Sequence, residues 1–437
     1  MTGTVFSASV FQNEFLPEGT TEVNAVVTVT AVGGDGGVAV SDVEKIVLLI
    51  VDVSTSMENP RTKINAARRA AAAACAAMPD GVLFGIVAGA DYAVQAYPYE
   101  GETALARADD RTRAEAADVA RSLPTGGGTE ISKWLDLARE IVQPYEGAIR
   151  LAYLLTDGEN NDNDHSEFPR AIARATGVFQ CDARGVGENW HVSELRQITS
   201  ALLGEVEVIS DPAAMEADFL DFLDRAIGKT VADVKLRMWA PKGSTVRFVR
   251  QVAPTIDDLT PKAQPVDALT NAYPTGAWSG EESRDYHVCV DVPAGNVGDE
   301  KLAARVSLMV DADAVSQGLV RAVWTDDTAL STRINAQVAH YTGQAELAQV
   351  IQEGLQARKD GDIDTATIKL GRAVQLAAES GNDGTLRVLR GVVDVEDEAS
   401  GTIRVKRDAG KLAEMELDTR STRTVQVKRA TPAPEGK

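Results

Sequence analysis

The sequence has 437 residues, of which 65 are acidic and 44 are basic, and its formal net charge is −21. A chain of this length has room for two or three domains with sizeable hydrophobic cores. Its negative charge repels phosphate backbones and anionic lipid surfaces, which argues against nucleic acid as a partner. No segment reaches about 18 uninterrupted apolar residues, so we predict no membrane span.

The N-terminus and the cysteines both indicate a reducing compartment. The first thirty residues lack the basic segment and the apolar core of a secretory signal. Cys75, Cys181 and Cys289 are widely separated, and each lies in an apolar helix or strand pattern. We therefore predict buried thiols and a cytoplasmic location.

Residues 44–228 alternate buried strands with helical patterns. This alternation is typical of a doubly wound, Rossmann-like parallel sheet with helices on both faces. The predicted strands lie at 45–53, 82–90, 92–98, 149–158, 178–187 and 205–209. The predicted helices lie at about 62–78, 109–122, 130–143, 165–176, 192–202 and 212–227.

The flanking segments, 1–43 and 229–330, have the period of two that half-buried antiparallel strands show. Two strands are predicted before the α/β unit, at 4–11 and 22–32, and five after it. The five lie at 232–240, 244–252, 285–293, 301–310 and 318–325. Because the N-terminal pair cannot bury its apolar face alone, we predict one β-sandwich into which the α/β domain is inserted. The predicted fold class is therefore multidomain α/β plus all-β.

The helical period returns in a C-terminal helical region at 331–420. Two long helical patterns, 333–358 and 365–380, have the spacing of one tetratricopeptide-like pair, but a single helical hairpin packed on the sandwich is favoured. Residues 421–437 end in a proline-rich sequence and are predicted to be a flexible tail.

Polar side chains gather at one edge of the predicted sheet. Asp52 ends the first buried strand and Asp157 ends the fourth, and ligands of doubly wound sheets bind where such neighbouring strands end. Ser54 and Ser56 follow the first strand, and the glycine-rich loop that ends at Thr129 can reach the same edge. Two carboxylates and three hydroxyls form an all-oxygen set that suits Mg²⁺ or Mn²⁺. Taken alone, DVSTS could also be a strand followed by a turn that caps a helix.

The motifs DVSTS (52–56), GGGTE with Thr129 and LLTDGEN with Asp157 resemble the metal-ion-dependent adhesion site of von Willebrand factor A domains. The resemblance covers about residues 43–228. Within the family, the sequence most resembles the intracellular bacterial members. It implies that Ser54, Ser56 and Thr129 coordinate Mg²⁺, Mn²⁺ or Ca²⁺ directly or through water. It implies the same for Asp52 and Asp157, with an Asp or Glu carboxylate of another protein completing the coordination.

The polar run ENNDNDHSE (159–167) follows the second aspartate. It lacks the glycine and the terminal glutamate of an EF-hand loop, so we interpret it as a polar rim beside the ion. Asn160, Asp162 and Asp164 are the candidates for partner selection.

These features predict a non-catalytic, metal-dependent protein-binding module that acts as a cytoplasmic adaptor or scaffold. An alternative is a regulatory subunit of a separate AAA+ ATPase of the MoxR or chelatase type, with which many intracellular bacterial A-domain proteins are paired. An enzyme is disfavoured, because Ser54 and Ser56 have no nearby histidine and no G-x-S-x-G elbow. Asp52 and Asp157 are committed to the ion and leave no credible general base.

Overall fold

The computed structural model describes residues 2–35, 38–39, 43–99, 105–162 and 166–426. Four strands precede the α/β unit: β1 (Thr2–Gln12), β2 (Phe15–Leu16), β3 (Glu22–Asp35) and β4 (Val38–Ala39). In the described part of the chain, no helix is both long and apolar enough to cross a membrane.

The α/β unit is built on one mainly parallel sheet. Its strands are β5 (Lys45–Asp52), β6 (Leu83–Gly89), β7 (Ala93–Tyr97), β8 (Ala106–Arg107), β9 (Ile149–Thr156), β10 (Gln180–Val186) and β11 (Val206–Ile209). Its helices are α1 (Thr62–Ala76), α2 (Asp110–Arg121), α3 (Ile131–Val142), α4 (Glu167–Ala175), α5 (Val192–Ala201) and α6 (Met215–Ile227). The strand order is β11-β10-β9-β5-β6-β7, and β8 pairs with β6.

Strand β5 lies at the centre of this sheet and positions the predicted site. Alternate side chains of β5 enter two different apolar cores, with Leu49 on one face of the sheet and Leu48 on the other. A strand covered on both faces needs a continuous apolar run, which explains the sequence KIVLLIVD. Because β5 pairs with β6 on one side and β9 on the other, the strand order reverses there.

The remaining strands form a sandwich with the N-terminal ones. They are β12 (Lys229–Trp239), β13 (Thr245–Ala253), β14 (Asp257–Asp258), β15 (Gln264–Asp267), β16 (Thr270–Ser279), β17 (Glu282–Asp291), β18 (Glu300–Val310) and β19 (Asp313–Trp324). One sheet has the order β14-β13-β17-β3-β1-β4 and the other β15-β16-β12-β18-β19-β2. Since β3 pairs with β17, the sandwich joins strands from both sides of the inserted α/β domain, and the predicted fold class is confirmed.

The C-terminal region contains more than a helical hairpin. Its elements are α7 (Thr328–Ser331), α8 (Ala336–Lys359), α9 (Ile363–Glu379), α10 (Asp383–Val392), the hairpin β20 (Val393–Asp397) and β21 (Thr402–Val405), and α11 (Lys411–Ser421). Helix α8 packs on the sandwich, where Tyr341 joins an apolar cluster with Val26 and Val252. Helix α11 lies on the α/β domain, and its Met415 enters the core that contains Leu48.

The start of the predicted flexible tail differs from expectation. Residues 427–437 lie outside the described residues, but residues 421–426 are held against the sandwich. The Thr424 hydroxyl donates to the Val252 carbonyl at 2.6 Å, and its backbone N–H donates to the Pro254 carbonyl at 3.0 Å. These contacts fix the chain beyond α11 because the Thr424 hydroxyl finds an acceptor on β13 and its backbone N–H finds one in the loop after it.

Candidate metal-binding site

Asp52 is the buried anchor of the predicted site. One carboxylate oxygen accepts the Ser54 N–H at 2.7 Å, and the other accepts the Thr156 hydroxyl at 2.6 Å and the Asp157 N–H at 3.4 Å. Its side chain is 0 % exposed. Burial raises the pKa of the Asp52 carboxyl to about 6, although the bonds from Ser54 and Thr156 act in the opposite direction. A cation beside Asp52 would offset the cost of burying its charge.

Ser54, Ser56 and Asp157 form a chain of oxygens next to Asp52. The Ser54 and Ser56 hydroxyl oxygens are 2.9 Å apart, and the Ser56 hydroxyl donates to Asp157 Oδ1 at 2.5 Å. Ser54 leads into a short 3₁₀ turn, Thr55–Glu58, which brings Ser56 back over the end of β5. The chain reversal after β5 therefore places both serines at the end of β9, where Asp157 lies.

Thr129 reaches the same point on a loop pinned between two strand ends. The Gly126 N–H donates to the Val53 carbonyl at 2.8 Å, and the Glu130 N–H donates to the Ala90 carbonyl at 2.9 Å. Gly127 has a φ of +82°, and a Cβ there would lie 2.0 Å from Asp91 Oδ1, so no other residue fits without rearrangement. The Thr129 side chain is buried, with 3 % of the residue exposed.

Gly158 keeps open the space between these oxygens. A Cβ at this position would lie 2.9 Å from Thr129 Oγ1 and 3.4 Å from Ser56 Oγ. The missing side chain therefore allows hydroxyl oxygens from two distant segments to lie close to residue 158. All five predicted ligand residues, Asp52, Ser54, Ser56, Thr129 and Asp157, lie at this one edge of the sheet.

Lys63 also enters the site, and the sequence interpretation did not include it. The Nζ atom of Lys63 on α1 is 2.7 Å from Asp157 Oδ2, and the two side chains are 8 % and 0 % exposed. Thr156 and Gly158 were missed as well, although their places on either side of Asp157 at the end of β9 could have suggested them. Nothing in the local sequence marks Lys63 as a buried residue.

The predicted rim residues hold the loop that carries Thr129. Asn160 accepts the Ile131 N–H at 2.9 Å, and Asp162 accepts the Ser132 hydroxyl at 2.6 Å. Asp162 is only 5 % exposed, so its side chain faces inward, contrary to the expectation that it faces a partner. Asn160 is partly buried between α3 and Asp162, and Asp164 lies outside the described residues.

Comparison with known proteins agrees with this geometry. Residues 47–159 match the family model of the von Willebrand factor type A domain, and residues 375–421 match that of the von Willebrand factor type A C-terminal domain. A von Willebrand factor type A protein from Catenulispora acidiphila is 46 % identical, with a TM-score of 0.91 and coverage of 98 % of both chains. The chain belongs to the von Willebrand factor A (VWA) family.

A second solved structure shares the overall fold of this VWA protein. The ArnB paralog VWA2 from Sulfolobus acidocaldarius is 14 % identical, with a TM-score of 0.58, and the match covers 96 % of this chain and 98 % of that one. At this identity the likeness concerns the fold alone. No curated protein sequence matches the chain.

VWA domains typically bind a divalent metal ion, and their proteins generally act in protein–protein interaction. The residues of this VWA domain fit such an ion, because the donors are oxygens of carboxylates and hydroxyls around a space that Gly158 leaves open. No cluster of three or more His, Cys, Asp or Glu side chains suited to a metal occurs within the described ranges. The fit therefore depends on the hydroxyl groups as much as on the two carboxylates.

Proposed function

We propose that this VWA protein is a non-catalytic, divalent-metal-dependent binding protein. Asp52, Ser54, Ser56, Thr129 and Asp157 would hold Mg²⁺, with Mn²⁺ or Ca²⁺ as the other candidates. The observation that supports this proposal most directly is the convergence of three hydroxyls and two carboxylates at the ends of β5 and β9. When bound, the ion supplies an electrophilic centre to which a partner's Asp or Glu carboxylate can bind.

The neutral ligands explain why the ion would attract a partner. Three of the five side chains carry no charge, so they neutralise less of the ion's charge than an all-carboxylate site would. Thr129 and Ser54 are held by buried hydrogen-bonded loops, so they can keep their positions while the ion accepts an external ligand. The protein therefore supplies a fixed set of oxygens, and the partner supplies the missing charge.

The hydrogen bonds support a non-catalytic role. Both oxygens of Asp52 accept bonds from backbone or hydroxyl donors, and both oxygens of Asp157 accept from Ser56 and Lys63. A general base needs a carboxylate or imidazole free to accept the substrate's proton. Neither aspartate is free in this way.

A cytoplasmic adaptor or scaffold is consistent with the cysteines. Cys75, Cys181 and Cys289 are buried and unpaired. Burial raises the pKa of Cys75 and Cys289 to about 12, so their thiols stay protonated and unreactive at neutral pH. Free buried thiols are typical of proteins that fold in a reducing compartment.

Calorimetric titration with Mg²⁺ and Mn²⁺ tests the metal site. We expect the wild type to bind and Asp157→Asn to lose at least about tenfold in affinity, because it removes one of two charged ligands. Asp118→Asn is the matched control, since it removes the same charge from an exposed position on α2. Equal affinities for the wild type and Asp157→Asn would overturn the proposal.

Affinity purification from the native lysate, with and without EDTA, tests the partner. We expect a partner that is retained with Mg²⁺ and released by EDTA, and that is not retained by Asp157→Asn. Retention that is unchanged by EDTA and by the substitution would contradict metal-dependent binding. An AAA+ ATPase of the MoxR type among the EDTA-released proteins would favour the alternative function, a regulatory subunit of that ATPase.

A further inference from the structure

Lys63 forms a buried ion pair with one of the proposed ligands. Its Nζ donates to Asp157 Oδ2 at 2.7 Å, while the other oxygen of the same carboxylate accepts from Ser56. The end of the side chain passes close to Gly187, where a Cβ would lie 3.7 Å from Lys63 Cε. Lys63 thus extends from the first turn of α1 to the ends of β9 and β10 and fixes the orientation of the Asp157 carboxylate.

Stability alone does not account for a lysine at this position. A buried ion pair gives up the hydration of both charges, and well-packed apolar replacements are often as stable. Lys63 is 6 % exposed, so the pair gives up most of its hydration, and replacing both members by apolar residues would avoid that cost, whereas removing Lys63 alone would leave the Asp157 carboxylate buried without a cation. The ammonium group therefore calls for an explanation in terms of the charge of the site.

The charges of the site can be counted directly. Asp52 and Asp157 contribute two negative charges and Lys63 contributes one positive charge. A divalent ion bound among these groups leaves a net charge of about +1, which the carboxylate of a partner would neutralise. Without the ammonium group, the ion and the two aspartates would already sum to zero, and a third carboxylate would be attracted less strongly.

We propose that Lys63 sets the balance between metal binding and partner binding, acting as a positioning residue through Asp157. It competes with the ion for Asp157 Oδ2 and so weakens metal binding, and it leaves the loaded site positive and so strengthens binding of an anionic carboxylate. This inference rests on the proposed function of the site. It adds a specific role for a residue that coordinates no ion.

Mn²⁺ titration of Lys63 variants tests the first half of this inference. Lys63→Met keeps most of the side-chain length and removes the charge, and we expect it to bind Mn²⁺ at least about tenfold more tightly than the wild type. Lys63→Arg keeps the charge, and its Mn²⁺ affinity should stay within about threefold of the wild type. Arg61→Met is the matched control, because it removes one positive charge from an exposed residue just before α1 and should leave Mn²⁺ affinity unchanged.

Acetate serves as the carboxylate probe for the second half. Paramagnetic relaxation of ¹³C-acetate, measured with each variant saturated with Mn²⁺, reports acetate bound near the ion. We expect acetate affinity to fall about fivefold or more in Lys63→Met and to be retained in Lys63→Arg. Thermal unfolding in EDTA gives a separate readout: Lys63→Met should unfold at a lower temperature than the wild type, and Mn²⁺ should restore more of its stability.

The outcomes separate this inference from the proposed function. If the wild type binds Mn²⁺ and Lys63→Met binds it equally or more weakly with unchanged acetate affinity, the role of Lys63 is wrong and the metal site stands. If the wild type binds no Mn²⁺, both are wrong. If Lys63→Met is unfolded even with Mn²⁺ while Lys63→Arg is folded, Lys63 is a structural residue and the inference is overturned.

Discussion

Gly158 provides the sharpest test of the oxygen arrangement. Its backbone is not in the left-handed region, so alanine is sterically allowed for the main chain. The added Cβ would lie 2.9 Å from Thr129 Oγ1, which is 0.5 Å inside the 3.4 Å at which ordinary contact begins. The same Cβ would touch Ser56 Oγ at 3.4 Å, so the substitution acts mainly on Thr129.

A shift of this size matters for the ion. Mg²⁺ demands near-ideal octahedral geometry at about 2.0–2.1 Å, so moving one oxygen by about 0.5 Å removes or weakens that ligand. We expect Gly158→Ala to lower Mg²⁺ affinity by about 10-fold to 100-fold, the usual range when the support of a ligand is altered. Calorimetric titration at constant pH measures this loss, and the far-UV circular dichroism spectrum checks that the fold is kept.

Gly128→Ala is the matched control. It lies in the loop that carries Thr129, but a Cβ there would have only Asp91 Cβ as a neighbour, at 3.8 Å. We expect its Mg²⁺ affinity to stay within about threefold of the wild type. Normal Mg²⁺ affinity in a folded Gly158→Ala protein would refute the proposed role of the Thr129 and Ser56 hydroxyls.

Two further predictions concern ionisable side chains of the sandwich that are buried or partly buried. Glu282 pairs with Lys229 at 2.9 Å and with Arg284 at 2.6 Å, so Glu282→Gln leaves two cations without their anion and should lower the free energy of unfolding by about 2–3 kcal/mol in urea, less than for a fully buried pair because Glu282 and Lys229 are partly exposed. A loss of unfolding free energy below about 1 kcal/mol would show that water compensates the charges of Lys229 and Arg284. Burial lowers the pKa of His287 from 6.5 to about 4, so its contribution to stability is full above pH 6.5 and is lost as the pH falls towards 4. The loss of stability at low pH is roughly 3 kcal/mol, and His287→Gln should abolish this loss; parallel pH profiles for the wild type and His287→Gln would contradict this.

The convergence of the candidate site residues could be predicted from the sequence because these residues follow strand ends. Asp52 and Asp157 each end a continuous apolar run, and such runs mark strands covered on both faces. Once two neighbouring parallel strands are recognised, their C-terminal ends must meet at one edge of the sheet. Thr129 could be placed at the same edge because it ends a glycine-rich loop, and such a loop can cross the edge of the sheet without a steric clash.

Lys63 could not be predicted by the same reasoning. A lysine next to the exposed Thr62 at the start of a helix is ordinarily a solvated residue. Its burial depends on Asp157, which is 94 positions further along the chain, and on the space beside Gly187. Only the folded arrangement of α1 over the ends of β9 and β10 shows that the ammonium group enters the site.

The sandwich strand β16 was missed because its sequence breaks the rules for strands. Pro274 cannot donate to a β-ladder, and Gly276 has a φ of +78°, so TNAYPTGAWS does not read as a regular strand. The strand forms because its irregular part fits the α/β domain: the Gln180 side chain accepts the Ala277 N–H at 3.1 Å, where a Cβ on Gly276 would clash with it. Trp278 then completes the sandwich core. The β20–β21 hairpin and the short strands β2, β4, β8, β14 and β15 were missed as well.

The position of the C-terminal region is explained by the edge strand of the α/β sheet, which α11 covers. Strand β11 ends the strand order, and an uncovered edge strand is open to pairing with other chains. Helix α11 lies beside it, with Asp418 paired to Arg196 at 2.8 Å and Met415 in the α/β core.

The chain after α11 then reaches the sandwich, where Arg423 pairs with Thr255 in an isolated bridge. In the described residues the inserted domain is thus attached to the rest of the protein by its two connections, by α11 and by direct contacts with the sandwich, such as that of Gln180 with Ala277. The two connections lie at the start of β5 and the end of α6, whereas the candidate metal site lies at the opposite end of β5. If the proposed ion binds there, a partner would approach it from the side that faces away from these two connections.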